Sequence, residues 1–111
     1  MVSSVRSLKR LVYLISPSKI YSNFYEDLEK VLSFKKVSFF QLRLKKTPKN
    51  LIIKIAKKIR KITRKNKVKF IINDDSKLAK KVNADGCHIG QLDNTVSSAR
   101  KDIKKKIIGV T

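Results

Sequence analysis

The sequence is poor in cysteine, glycine, proline and negative charge. One cysteine, Cys87, excludes an internal disulfide and fits a reducing compartment. Three glycines and two prolines leave no low-complexity, collagen-like or linker character. No internal repeat is present. No apolar run approaches the roughly 20 residues of a membrane helix. The longest candidates, Leu11 to Ile15 and Val68 to Ile72 (interrupted by Lys69), are strand-sized. The basic start, residues 1–10, is followed by an apolar stretch too short for a secretory core and interrupted by Ser16-Pro17. The expectation is a cytoplasmic protein with a basic N-terminal extension (residues 1–10) and one domain over residues 11–111. Apolar residues make up 41% of the chain, which excludes a disordered type and allows a packed core.

Against 8 acidic residues stand 28 basic ones, a formal net charge of +20. Such a balance is what a nucleic-acid binder would show. Yet 22 of the 28 are lysine and only 6 arginine. Phosphate and base recognition favour the planar, bidentate guanidinium. The lysines are also spread over every expected helix surface instead of forming one arm. Abundant Lys and Ile together match AT-rich codon usage. The charge is read mainly as that, with a small basic nucleic-acid-binding module kept as the rival from another class. That rival requires binding that weakens steeply with salt.

Along the chain, Val12 to Ser16 reads as a short buried strand. Ser22 or Asn23 caps a helix to about Ser33, with Phe24, Leu28, Val31 and Leu32 at helical spacing. Val37 to Leu44 is the next strand. Thr47-Pro48 reads as a hydroxyl N-cap with proline at the first helical position. In the helix after it, Ile52, Ile55, Ala56, Ile59 and Ile62 form an apolar stripe that Lys54, Lys57, Lys58, Lys61 and Arg64 largely avoid. Val68 to Ile72 is apolar apart from Lys69 and reads as a strand covered on both sides. Ser76 to Val82 is a short helix and Gly86 to Ile89 a strand. Asn94 or Thr95 caps a helix to about Ile103, and Ile107 to Val110 is a fifth strand. This βαβαβαβαβ order implies a parallel α/β sheet, either doubly wound or closed as a barrel. No Gly-rich phosphate loop follows the first strand, which counts against a Rossmann unit.

In such folds chemistry sits at the carboxyl ends of the strands. The second strand ends Gln41-Leu42-Arg43-Leu44-Lys45. Period-two alternation sends Gln41, Arg43 and Lys45 one way, a set suited to a polyphosphate. An ordinary polar strand end is the other reading. The third strand ends Asn73-Asp74-Asp75, hard oxygen donors of the kind Mg²⁺ takes. Asp75 is also well placed to cap the next helix. Beyond the fourth strand, Gly90 permits a tight turn and Asp93 supplies a second candidate metal ligand. His88, a lone histidine, reads as structural, and Cys87 as a buried small hydrophobe. No spacing indicates zinc.

Four segments stand in order: Tyr13-Leu14-Ile15-Ser16-Pro17, Gln41-Leu42-Arg43-Leu44-Lys45, Ile71-Ile72-Asn73-Asp74-Asp75, and Ala84 through Asp93. Ile107-Ile108-Gly109-Val110-Thr111 follows. In this order they resemble the thiamine-phosphate synthases, a (β/α)8 barrel family, over about Leu11 to Thr111. The resemblance implies a transferase that couples a hydroxymethyl-pyrimidine diphosphate to a thiazole phosphate, releasing pyrophosphate and thiamine monophosphate. It further implies that Gln41, Arg43 and Lys45 hold the diphosphate. Asn73 would contact the pyrimidine diphosphate, and Asp74 and Asp93 would carry Mg²⁺. No nucleophile or acid–base residue is required. The partners would be small molecules, and a homo-oligomer is compatible with this. Leu44 stands where many members carry Glu. The related thiazole tautomerases share the barrel without metal-dependent coupling, and the Asn73-Asp74 and Asp93 positions favour the synthase.

A (β/α)8 barrel typically takes about 250 residues. The 111 residues here supply four βα units and a fifth strand. A partial barrel is therefore expected, with an exposed apolar sheet surface, an open edge, poor solubility and little activity by itself.

Overall fold

The computed structural model describes residues 12–90, 96–103 and 106–110. The basic segment 1–10 lies outside the described residues, as do the expected cap positions Asn94 and Thr95. Five strands alternate with four helices: β1 (Val12–Ile15), α1 (Phe24–Ser33), β2 (Val37–Leu42), α2 (Lys49–Lys65), β3 (Lys69–Asn73), α3 (Ser76–Lys81), β4 (Gly86–Ile89), α4 (Val96–Ile103) and β5 (Ile107–Val110). All neighbouring strands are parallel, in the order β1-β2-β3-β4-β5.

That order decides between the two parallel architectures. A doubly wound sheet reverses its strand order partway and so carries helices on both faces. Here the order is sequential, and successive right-handed crossovers lay every helix on the same side. One core cluster accordingly takes Phe24, Leu28 and Leu32 from α1, Ala56 and Ile59 from α2, Leu78 and Ala79 from α3, and Ala99 and Ile103 from α4. They pack on Phe40, Leu42, Phe70, Ile72, Cys87 and Ile89, alternate residues of three strands. The chain is α/β of the (β/α)-barrel type, with four βα units and a fifth strand.

The other sheet face is organised in register-matched rows. Tyr13, Phe39 and Lys69 form one, and Ile15, Gln41, Ile71, Gly86 and Ile107 the next. Asn73, His88 and Gly109 form the row nearest the carboxyl ends. Among the described residues no helix covers this face: Tyr13 is 44%, Ile15 51% and Ile107 39% exposed.

Several element boundaries differ from the sequence expectation: β1 ends at Ile15, β3 runs Lys69–Asn73 and α3 ends at Lys81, and two further differences bear on the strand ends. Strand β2 ends at Leu42, not Leu44. Its neighbour β1 stops at Ile15, and Pro17 has no N–H with which to extend the ladder. Helix α2 begins at Lys49, with Pro48 itself in the cap position at φ −59°, ψ 144°. The Thr47 hydroxyl bonds back to the Lys45 carbonyl at 2.9 Å and does not cap the helix. Asn23 does occupy the cap position of α1, but through its backbone, which accepts from the Asp27 N–H at 3.0 Å. The expected stripe of α2 faces the core, and it continues into Thr63, fully buried with its hydroxyl on the Arg60 carbonyl at 3.1 Å.

Candidate active site at the carboxyl ends of the strands

The rows of the helix-free face line a cleft of about 690 Å³. Its walls are Tyr13, Ile15, Phe39, Gln41, Arg43, Ile71, His88, Ile107 and Gly109. Most of this is apolar, with polar groups gathered toward the carboxyl ends. Tyr13 and Phe39 stack with centroids 5.5 Å apart and floor the β1–β2 side.

Gln41 is only 3% exposed, and its Nε2 donates to the Tyr13 hydroxyl at 3.0 Å. This bond fixes the amide's orientation beside Arg43. Arg43 follows the last strand residue and lines the cleft with an otherwise exposed side chain. Lys45, by contrast, lies three residues past the end of β2, exposed and outside the cleft lining. Period-two alternation does not carry that far, because it holds only while the backbone is extended. The structure thus brings Gln41 and Arg43 together and leaves Lys45 on the following loop.

Asn73 closes β3 in register with His88. The next residue, Asp74, adopts φ 61°, a left-handed conformation that Asp and Asn tolerate better than most residues. Its N–H donates to the His88 carbonyl at 2.7 Å, tying the end of β3 to β4. The Asn73 Nδ2 donates to Asp74 Oδ2 at 3.1 Å, so the amide steadies an exposed carboxylate. Asp75 does cap α3: its Oδ1 accepts the Leu78 N–H at 2.8 Å, and Lys49 approaches at 3.4 Å. Asp93 lies outside the described residues. Among the described residues no three His, Cys, Asp or Glu side chains cluster as a metal site.

Tyr13 and His88 also line the cleft, although their sequence positions imply no part in binding. Tyr13 shares strand parity with Ile15, but nothing in sequence pairs it with Gln41, 28 positions away. His88 lines the cleft above Gly109, where a Cβ would come within 2.7 Å of the His88 Nδ1. Gly109 therefore makes room for the imidazole ring. Cys87, the next residue on β4, points to the helices and is fully buried. Burial, the largest cause, pushes its thiol above the ordinary range, which disfavours the thiolate.

A sequentially ordered parallel sheet with helices on one face, and a cleft whose amide and guanidinium gather at the carboxyl ends, defines a (β/α)-barrel-type chain suited to an anionic ligand. The sequence profile of the thiamine monophosphate synthases matches residues 12–111. The chain belongs to the thiamine monophosphate synthase family. It is 66% identical over 105 residues to the thiamine-phosphate synthase of Pelagibacter ubique strain HTCC1062, covering 93% of this chain and 50% of that protein. To the thiamine-phosphate synthase of Clostridioides difficile strain 630 it is 39% identical over 110 residues, covering 95% and 52%. A solved thiamine phosphate pyrophosphorylase from Pyrococcus furiosus superposes with a TM-score of 0.78 at 27% identity, covering 92% of this chain and 50% of that one. The chain spans about half the length of the curated relatives it matches. Among the described residues no helix is long and apolar enough to cross a membrane.

Proposed function

We propose that the chain supplies the diphosphate side of thiamine-phosphate synthase chemistry. In that reaction a hydroxymethyl-pyrimidine diphosphate loses pyrophosphate. The nitrogen of a thiazole phosphate then bonds to the freed methylene carbon, giving thiamine monophosphate. The observation that carries the reading is the convergence of Gln41 and Arg43 on the cleft wall, with Asn73-Asp74 closing the adjacent strand.

The chemistry follows from charge. As the carbon–oxygen bond breaks, negative charge grows on the departing pyrophosphate. A preset guanidinium and amide stabilise that charge without reorganising. Arg43 offers a planar fork for two phosphate oxygens, and the Tyr13 contact holds the Gln41 amide ready. Lys45, on the loop beyond, would add a point charge to the outer phosphate, and Asn73 would contact the pyrimidine diphosphate. Asp74 is a hard, exposed donor, and Mg²⁺ takes one or two carboxylates while leaving positions for water and substrate phosphate. Asp74 thus suits that ion as one ligand, and Asp93, outside the described residues, would be the second. When bound, Mg²⁺ would neutralise part of the pyrophosphate charge. The pyrimidine ring delocalises the carbon-centred positive charge, so the protein needs no nucleophile. The partners on this reading are two small phosphorylated molecules in the cytoplasm.

The test is calorimetric titration of pyrophosphate with and without Mg²⁺. Asp74→Asn removes the charge while keeping a residue that tolerates the left-handed backbone. It should abolish the Mg²⁺-dependent gain in affinity and spare the metal-free binding, which Arg43→Ala should weaken about tenfold or more. An undiminished Mg²⁺ effect in Asp74→Asn would rule out Asp74 as a ligand.

A further inference from the structure

The candidate diphosphate residues Gln41, Arg43 and Lys45 share a feature that no side chain of theirs explains: their backbones are all held by the segment Ser16–Ser18. The Gln41 carbonyl accepts the Ser16 N–H at 2.9 Å. The Arg43 N–H donates to the Ser16 Oγ at 2.9 Å. The Lys45 N–H donates to the Ser18 carbonyl at 3.1 Å. The middle bond is the unusual one. In a continuing parallel ladder the Arg43 N–H would meet the Ser16 main-chain carbonyl. Here the Ser16 hydroxyl receives it.

The hydroxyl is well suited to that substitution. It is buried with the rest of Ser16, and its own proton goes to the Pro17 carbonyl at 3.0 Å. A donor and an acceptor are both used, so its rotor is locked. Regular pairing ends at Ile15 with Gln41, one residue before Ser16. Arg43 would otherwise leave the sheet with its N–H unheld at the point where its guanidinium must be aimed. We propose that Ser16 is a positioning residue: its hydroxyl adds one rung to the sheet beyond the end of β1, and so sets the direction of Arg43 for an anionic ligand. This rests on the reading of Gln41 and Arg43 as diphosphate ligands. It goes beyond it by assigning the organisation of that pair to a residue of the neighbouring strand end that is not part of the cleft lining.

The experiment uses the 111-residue chain with inorganic pyrophosphate as the probe, in four forms: parent, Ser16→Ala, Ser16→Thr and Arg43→Ala. Amide hydrogen exchange at Arg43 is followed beside calorimetric affinity. Ser16→Ala should speed exchange at the Arg43 N–H and weaken pyrophosphate binding roughly five- to tenfold, with exchange in the core of β3 unchanged. Ser16→Thr, which keeps the hydroxyl, should recover most of both losses. If Ser16→Ala binds as the parent does while Arg43→Ala binds weakly, the positioning role falls and the site reading stands. If Ser16→Ala binds weakly and Ser16→Thr does not recover, the loss is one of packing and the positioning role also falls. If Arg43→Ala binds as well as the parent, or the parent binds no pyrophosphate, the site reading falls and takes the positioning role with it.

Discussion

Gly86 shows how a single residue sets the spacing of this sheet. A Cβ there would overlap the Ile107 carbonyl oxygen and stand 2.7 Å from the Ile107 Cβ on the adjacent strand. The obstacle is backbone, which cannot swing aside. Gly86→Ala is expected to destabilise the chain by about 2–3 kcal/mol, read from the urea midpoint. Cys87, one residue on, yields a pH prediction with a definite sign. Its ordinary thiol value of 9.0 is raised by burial. The folded chain therefore keeps a proton that the unfolded chain has already lost. The contribution is full below about pH 9 and is lost as pH rises toward the raised value. Thermal midpoints of the parent should fall more steeply above pH 9 than those of Cys87→Ala, whose curve starts lower because of the small cavity. Parallel curves would mean that the thiol does not titrate on unfolding.

At the scale of elements, the lower ends of β3, β4 and β5 are joined through one residue, Asp85. Asp85 accepts the Phe70 N–H at 2.7 Å and both terminal nitrogens of Arg60, at 2.8 and 3.3 Å. Its backbone N–H reaches the Phe70 carbonyl, and its carbonyl accepts the Ile107 N–H at 3.0 Å. Helix α2 is thereby pinned to the sheet by its largely buried arginine. Lys106 sits close by, its pKa lowered first by burial and then by Arg60. Asp85→Ala would leave Arg60 uncompensated and the Phe70 N–H unpaired. It should cost about 3 kcal/mol in urea unfolding. Arg60 also shows how far the helix pattern was legible. The spacing of Ile52, Ile55, Ala56, Ile59 and Ile62 predicts which side of α2 faces the core, and the structure agrees. It does not show that Arg60, one step off the stripe, meets a carboxylate 25 residues later.

For the whole molecule, the unsettled surface is the sheet face away from the helices. Tyr13, Ile15 and Ile107 stand exposed there on a chain rich in lysine. Repulsion at a net charge of +20 opposes association, while the apolar face favours it. Raising salt from about 0.05 M to about 0.5 M screens the first and spares the second. Sedimentation of the 111-residue chain should therefore show more self-association at high salt. Paired Ile15→Thr and Ile107→Thr substitutions should reduce both that association and the binding of an apolar dye. Association that weakens with salt would instead point to ionic contacts.

By itself, the sequence determined the alternation of strands and helices, the core-facing stripe of α2 and the family. These depend on local periodicity and on short motifs, which survive in one dimension. It also put Gln41 and Arg43 on one side of the end of β2, where both line the cleft, because extended backbone alternates strictly while it lasts. Only the tertiary structure decided where that alternation stops, and so separated Lys45 from the cleft. Only it placed Tyr13 on Gln41, Ser16 on Arg43 and His88 over Gly109. Those meetings depend on inter-strand register, which is set by the packing of four crossovers against one sheet and has no trace in the spacing of residues along the chain.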